Sequence, residues 1–261
     1  MNSALLDEVC RLTLEAARLF SSKGELEVSA KGPRDYVTQV DLSISEYLMQ
    51  RLPGLLPGSR VISEEAAQSP PIDDGYCWIV DPVDGTTNLI CSLPLYAISI
   101  GLLHNFEPVL GVVYNPAANE LFSATKGSGA FLNGKHIQVC ADDRLDRTLV
   151  FGGTNPYADR AKNRSLEILG QIFPACLDCR VTGSVALDIC YVAAGRGGVF
   201  LTEGLNIWDC AGGCAILLEA GGRYTNWRGT DFSFVESGDK SFVASNKKLH
   251  DLALGYTQVR I

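Results

Sequence analysis

The chain has 261 residues, enough to bury a large core as one domain or as two close-packed halves. With 46% hydrophobic and 20% charged residues, its composition is that of an ordinary soluble globular protein. A net charge of −8 argues against broad nucleic-acid binding, which needs a basic surface, and suits an acid-rich site that takes cations.

In chain order, "MNSALLDEVCRLTLEAARLF" sets Leu5, Val9, Leu12, Ala16 and Leu19 at helical spacing and predicts an amphipathic helix. It lacks the basic start and unbroken apolar run of an export signal. No run is long and apolar enough to span a bilayer, so no membrane association is expected. "KGPRDYVTQVD" follows as a turn and a short polar-apolar stretch. "LSISEYLMQRL" predicts a second helix, ended by "PGLLPG". "SRVISEE" reads as a short strand running into acids, "AAQSPPIDDGY" as a loop, and "CWIVD" as a buried strand. From Tyr96 to Val139 four apolar or alternating runs, separated by "NFEP", "NPAAN" and "GSG", predict an antiparallel meander of four strands.

After "ADDRLD" the pattern changes. "TLVFGG" reads as a strand, "DRAKNRSLEILGQIF" as a helix and "CRVT" as a strand. Then come "SVALDICYVAAG" (helix), "GGVFLTEG" (strand), "DCAGGCAILLEAGG" (helix ending in Gly-Gly), "SFVASN" (strand) and "KKLHDLAL" (helix). Alternating strands and helices imply a layered α/β arrangement. The expected organisation is an N-terminal α+β half, 1–141, and a C-terminal α/β half, 142–261, packed as one unit around a shared cleft. Nine cysteines, an odd number lying mostly in apolar stretches, read as reduced thiols of a cytoplasmic protein. "CLDC" (176–179) has no second pair for zinc and no thioredoxin context, so its spacing reads as accidental.

The chemistry concentrates in "DPVDGTTN" (81–88). Asp81 ends a buried strand, and Pro82 stops that strand from pairing further. In so tight a turn Asp81, the Val83 carbonyl and Asp84 can converge on one point, and hard divalent cations such as Mg²⁺ take such oxygen ligands. Gly85 lets backbone approach a ligand. If Thr86 begins a helix, its free N–H groups favour a phosphate. Other acids also end apolar elements: Glu64 and Glu65 in "ISEE", Asp209 in "IWDCAGG", Asp41 in "YVTQVD". Taken singly, Asp41 and Asp209 read as helix N-caps and the Glu pair as a solvated strand end. Together they are a larger coincidence.

These segments resemble the inositol monophosphatase family of Mg²⁺-dependent, lithium-sensitive phosphatases. "WIVDPVDGTTN" is similar to the family's first signature and "WDCAGGCAILLEAGG" to its second. "KGPRDYVTQVD", "ISEE", "GVVYNPAANELFSATKGSGAFLNG" and "GSVALDICYVAAG" fit between and around them, from about Lys31 to Asn246. The resemblance implies an α/β fold, a layered αβαβα sandwich of the sugar-phosphatase type, with the site between the halves. It implies two or three Mg²⁺ ions: Glu64, Asp81 and the Val83 carbonyl on the first, Asp81, Asp84 and Asp209 on the second, and Glu64 also near a third. Thr86, hydrogen-bonded to Asp41, would orient the attacking water, with Glu64 also in the catalytic set. Gly85 and Thr86 N–H groups would hold the phosphate, and Gly183, Ser184, Val185 and Asp209 would face the substrate.

The substrate so implied is a small phosphorylated metabolite: inositol 1-phosphate or a similar polyol or sugar phosphate. Related enzymes act on fructose 1,6-bisphosphate, histidinol phosphate, 3′-phosphoadenosine 5′-phosphate or NADP. Thr87 stands where the nucleotide and histidinol branches tend to carry Lys, which favours polyols. One departure bears on this. The family's Glu, placed to reach a substrate hydroxyl, aligns with Thr202, and Glu203 comes one residue later. One residue on a strand reverses the side chain's face, so either a bulge brings Glu203 in or the contact is lost. The resemblance further implies a homodimer, while the acidic charge weighs against direct nucleic-acid contact but not against a protein partner. It also leaves a second class of function, a regulatory protein-binding module on the same fold.

Overall fold

The computed structural model describes residues 3–21, 26–66, 71–72, 74–155, 163–235 and 239–258. Helix α1 (Ser3–Ala17) buries Val9, Leu12 and Ala16, the stripe its spacing predicts. A hairpin of β1 (Val28–Gly32) and β2 (Asp35–Thr38) leads into α2 (Gln39–Leu55). A seven-stranded sheet follows: β3 (Arg60–Ser63), β4 (Tyr76–Asp84), β5 (Ala97–His104), β6 (Glu107–Asn115), β7 (Glu120–Thr125), β8 (Ala130–Leu132) and β9 (Lys135–Ile137), in sequential order. Only β3 and β4 run parallel. A one-turn-and-a-half helix, α3 (Thr86–Ile90), sits between β4 and β5.

The rest of the chain builds a five-stranded sheet. Its elements are β10 (Leu149–Gly152), α4 (Arg164–Ile172), β11 (Asp178–Arg180), α5 (Val185–Ala193), β12 (Val199–Thr202), α6 (Ile207–Glu219), β13 (Gly222–Thr225), β14 (Phe242–Asn246) and α7 (His250–Thr257). The strand order is β11-β10-β12-β14-β13.

Strand alternation explains the layering. In β4, Trp78 and Val80 face the core shared with α1 and α2, whereas Cys77 and Ile79 face a central core with α5 and α6. In β12, Phe200 faces that same central core, while Val199 and Leu201 face a third core with α4 and α7. The result is an αβαβα sandwich with α5 and α6 as the middle layer. Helix α6 lies against the backbone of β5 and β6. A Cβ at Gly111 would come within 2.1 Å of the Gly212 carbonyl oxygen, so the small residues of "CAGGCA" are what lets helix and sheet approach.

Several expectations change. The run "GAFLNGKHIQV" is two strands rather than one, because Asn133 and Gly134 both adopt positive φ and close a tight hairpin. The meander therefore has five strands. "GGRYT" supplies β13, where the sequence predicts only the Gly-Gly end of a helix. Helix α2 continues two residues beyond Pro53 instead of stopping before it. Pro82 interrupts the β4 ladder without ending it: pairing with β5 breaks after Asp81 and resumes at Asp84 opposite Ala97. The expected helix from 159 begins at Arg164 in the described residues, and 156–162 lie outside them.

Candidate active site

The interruption at Pro82 shapes the site. Asp81 Oδ1 accepts from the Val83 N–H at 3.0 Å, which folds the strand back on itself and leaves Asp84 on the same wall. Gly85 then turns with φ +95° and caps α3. Across the cleft stands Asp209. Carboxylate oxygens of Asp81, Asp84 and Asp209 all lie within 4.8 Å of one another. Among the described residues no other group of three or more His, Cys, Asp or Glu side chains has that spacing.

Three helix N-termini meet here. Asp41 and Asp209 are not N-caps, as each reads alone. Each is the third residue of its helix and reaches back to the capping residue. Asp41 Oδ2 accepts from the Thr38 N–H at 2.9 Å and from the Thr38 hydroxyl, while Asp209 Oδ2 accepts from the Asn206 N–H at 2.8 Å. The other Asp41 oxygen accepts from the Thr86 hydroxyl at 2.8 Å, and Thr86 Oγ1 also stands 3.0 Å from the Val83 carbonyl. The third N-terminus, of α5, takes Asp84. The Ser184 hydroxyl and the Ala186 N–H, at 2.7 Å, donate to Asp84 Oδ2, and the Val185 N–H donates to Oδ1 at 3.2 Å. The positive ends of the helices favour carboxylates at these points.

Charge remains unbalanced. Burial, followed by the like charges of Glu64, Asp84, Asp209 and Asp41, holds the Asp81 carboxyl far above the usual range. Burial raises Asp209 as well, with Asp84 the next cause. Asp84 is pushed up to about 6 by burial, against three hydrogen bonds that lower it. Glu64 is pushed up to about 7 by burial, although the Lys31 ammonium at 3.0 Å opposes this. Lys31 reaches from the β1–β2 hairpin and also contacts Glu65 at 2.7 Å. Burial and like charges are the leading causes at Asp81, and at Asp209 the attraction of Lys240 only partly offsets them. A nest of oxygen donors carrying mutual repulsion is what a hard divalent ion relieves, and the donor set lacks the sulfur and imidazole that softer metals prefer.

The inositol monophosphatase family model matches residues 3–260 of the chain. The chain belongs to that family. Inositol-1-monophosphatase of Caulobacter vibrioides is 38% identical over 237 residues, 90% of this chain and 91% of that protein. Nus factor SuhB of Escherichia coli K12 is also 38% identical, over 89% of this chain and 86% of its own length. The crystal structure of extragenic suppressor protein suhB from Bartonella henselae superposes with a TM-score of 0.90 at 32% identity, covering 99% of this chain and all of that one. Membership makes the chain a phosphoric monoester hydrolase by family, one of a group of metal-dependent phosphatases acting on small phosphate compounds. Among the described residues no helix is long and apolar enough to cross a membrane.

Of the twelve groups that the resemblance implies, eleven line one cavity: Glu64, Asp81, Val83, Asp84, Gly85, Thr86, Gly183, Ser184, Val185, Glu203 and Asp209. Asp41 is not among its lining residues and joins the site through its bond from Thr86, while Thr87 and Thr202 line the cavity as well. Some do other work than expected. Ser184 is fully buried, and both its hydroxyl and the Val185 N–H are engaged by Asp84. Glu203 lies just past the end of β12. Its carboxylate accepts from the Arg164 N–H at 2.8 Å, at the start of α4, and its own N–H donates to Ser165 Oγ at 3.0 Å. Sequence reasoning missed Lys31, which stood in the quoted "KGPRD", and Asp188. Asp188 is buried in the cavity wall, accepts from the Thr182 hydroxyl at 2.7 Å, and is raised well above the usual carboxyl range by burial. Its place in an apolar helix, "SVALDICYV", was the available signal.

Proposed function

We propose that the chain hydrolyses a small phosphate monoester, most readily inositol 1-phosphate or a similar polyol or sugar phosphate, using water activated by Mg²⁺. The observation that carries this is the trio Asp81, Asp84 and Asp209, whose carboxylate oxygens lie within 4.8 Å of one another and repel. Glu64, Asp81, the Val83 carbonyl, Asp84 and Asp209 would hold two or three ions. Bound Mg²⁺ supplies a lowered pKa for water and neutralises charge on the phosphoryl oxygens.

The chain's own groups do the rest. Thr86, donating to Asp41 at 2.8 Å, keeps its oxygen lone pairs available to accept from the attacking water and so fixes that water's direction. The first N–H groups of α3 have no partner within the helix and favour phosphate oxygens beside Gly85 and Thr86. No serine, cysteine or histidine nucleophile is required. On the leaving-group side, Glu203 is occupied at α4, so a substrate hydroxyl meets Thr202 and the other neutral polar groups of the cavity wall. A polyol suits such a wall.

The test is Mg²⁺-dependent phosphate release from inositol 1-phosphate, fructose 1,6-bisphosphate, histidinol phosphate, 3′-phosphoadenosine 5′-phosphate and NADP, side by side. Fastest release from inositol 1-phosphate is expected, with inhibition by LiCl. Asp84→Asn should lose on the order of a thousandfold in kcat while remaining folded. The assembly implied is a homodimer, read by sedimentation velocity.

A second reading, a protein-binding role, is carried by the name of the Escherichia coli relative, Nus factor. The net charge of −8 favours a protein partner over nucleic acid for that role. Absence of Mg²⁺-dependent turnover across the panel would shift the weight to it.

A further inference from the structure

The turn that carries Asp81 and Asp84 ends at Asn88, to which the chemistry above assigns nothing. Asn88 is 8% exposed. Its amide nitrogen donates to two backbone carbonyls, Leu95 at 2.6 Å and Thr182 at 2.9 Å. The first lies on the way into β5. The second lies in the loop that enters α5, 94 residues further along the chain. The contact is tight: a Cβ at Gly183 would meet Asn88 Nδ2 at 3.1 Å, and one at Gly85 would meet the Leu95 oxygen at 2.9 Å. Both glycines have positive φ, +82° and +95°.

The constraint passes on through Thr182. Its hydroxyl oxygen accepts from the Ser184 N–H at 3.2 Å and donates to Asp188 at 2.7 Å. One glycine further on come Ser184, Val185 and Ala186, the three donors that grip both oxygens of Asp84. Asp84 itself lies four residues before Asn88. The bonds therefore close a ring: Asp84 to the α5 N-terminus, back along the 182–184 loop to Asn88, and through α3 to Asp84 again. Two carbonyls converge on the Asn88 amide, so the position calls for a double N–H donor.

We infer that Asn88 is a positioning residue for Asp84: by clamping the Thr182 carbonyl it fixes the α5 N-terminus and so aims the Asp84 carboxylate at the point shared with Asp81 and Asp209. This rests on the reading of those acids as a Mg²⁺ site. Groups that orient ligands from behind typically cost about 10–100-fold in metal affinity when removed.

The experiment measures Mg²⁺ binding by the whole chain, by calorimetry and by the Mg²⁺-induced rise in Tm, with no turnover needed. Asn88→Ala is expected to weaken Mg²⁺ binding about tenfold or more. Asn88→Ser, which keeps one donor, should lose less and guards against a variant that does not fold. Asn115→Ala is the control. Asn115 is fully buried and clamps Pro94, Ala117 and Ala118, none of them an acid of the site. It should lower Tm and leave Mg²⁺ affinity alone. Ser184→Ala removes an Asp84 donor directly, and the double variant with Asn88→Ala should bind Mg²⁺ no worse than the weaker single one. Unchanged Mg²⁺ affinity in Asn88→Ala and Asn88→Ser, or fully additive losses in the double variant, would overturn the inference. No Mg²⁺ binding by the wild-type chain would instead refute the metal-site reading beneath it.

Discussion

Asp41 and Asp209 each divide their two oxygens between a helix cap and the cleft. A carboxylate tied down on one side is aimed on the other without further support, which is how two helix starts become parts of one site. Asp81 accepts the Val83 N–H, and burial followed by four like charges raises its pKa. Neutralising it should therefore help the metal-free fold. In chelator at pH 8, Asp81→Asn is expected to melt about 2–4 °C above wild type, equivalent to about 1 kcal/mol, and to show no Tm rise on adding Mg²⁺. Differential scanning calorimetry reads both. Most of these acids could be picked out in the sequence, because carboxylates at the ends of apolar runs stand out. Their partners could not. Lys31 is 33 residues from Glu64 in sequence, and Ser184 is 100 from Asp84, so nothing local marks either pair.

At the level of elements, long periodic segments were readable and short ones were not. Helix α1 and strands β4 to β7 follow from their patterns. β8 and β9, three residues each, carry too little alternation, and only the Asn-Gly between them marks the hairpin. The expected N-cap role of Asp209 failed for a related reason: α6 begins two residues earlier, at Ile207, behind Asn206. Helix α6 matters most to the site because it carries Asp209 and rests on bare backbone at Gly111. Gly111→Ala would drive a methyl group into the Gly212 carbonyl, with no flexible side chain to yield. A loss of about 2–4 kcal/mol is expected from urea melts. Phosphatase activity at low temperature, where the protein stays folded, should fall as well, since the displaced helix moves Asp209.

Across the molecule, stability should depend on pH in two opposed ways. His250 is buried between the Thr225 and Ser245 hydroxyls, and desolvation depresses it to about 4. It stays neutral in the fold, so its contribution is whole above the unfolded value near 6.5 and fades as pH falls toward 4. The acid cluster acts in the other direction. Glu64, raised to about 7, and Asp84, raised to about 6, bind protons in the fold that the unfolded chain has released. Their contribution is present at low pH and is lost as pH rises through those values. Two raised carboxyls outweigh one depressed imidazole, so metal-free protein should be most stable near pH 4–5 and lose stability as pH rises through about 7, and saturating Mg²⁺ should remove that decline. A Tm series in chelator and in Mg²⁺ checks this. If chelated protein melts higher at pH 8 than at pH 6, the cluster does not carry the assigned charge.

The middle layer has a consequence for synthesis. All seven strands of the first sheet lie before residue 138, and α1 and α2 already cover one of its faces. The other face, with Ile79, Leu103, Val113 and Phe122, is covered by α5 and α6, which end at residue 219. A ribosome adding roughly 5–20 residues per second leaves that face bare for on the order of ten seconds. The nascent chain should be a client of a trigger-type chaperone during that interval, and profiling of chaperone-bound ribosomes should show occupancy that rises after the codon for Ile137 leaves the tunnel and falls once Glu219 has emerged.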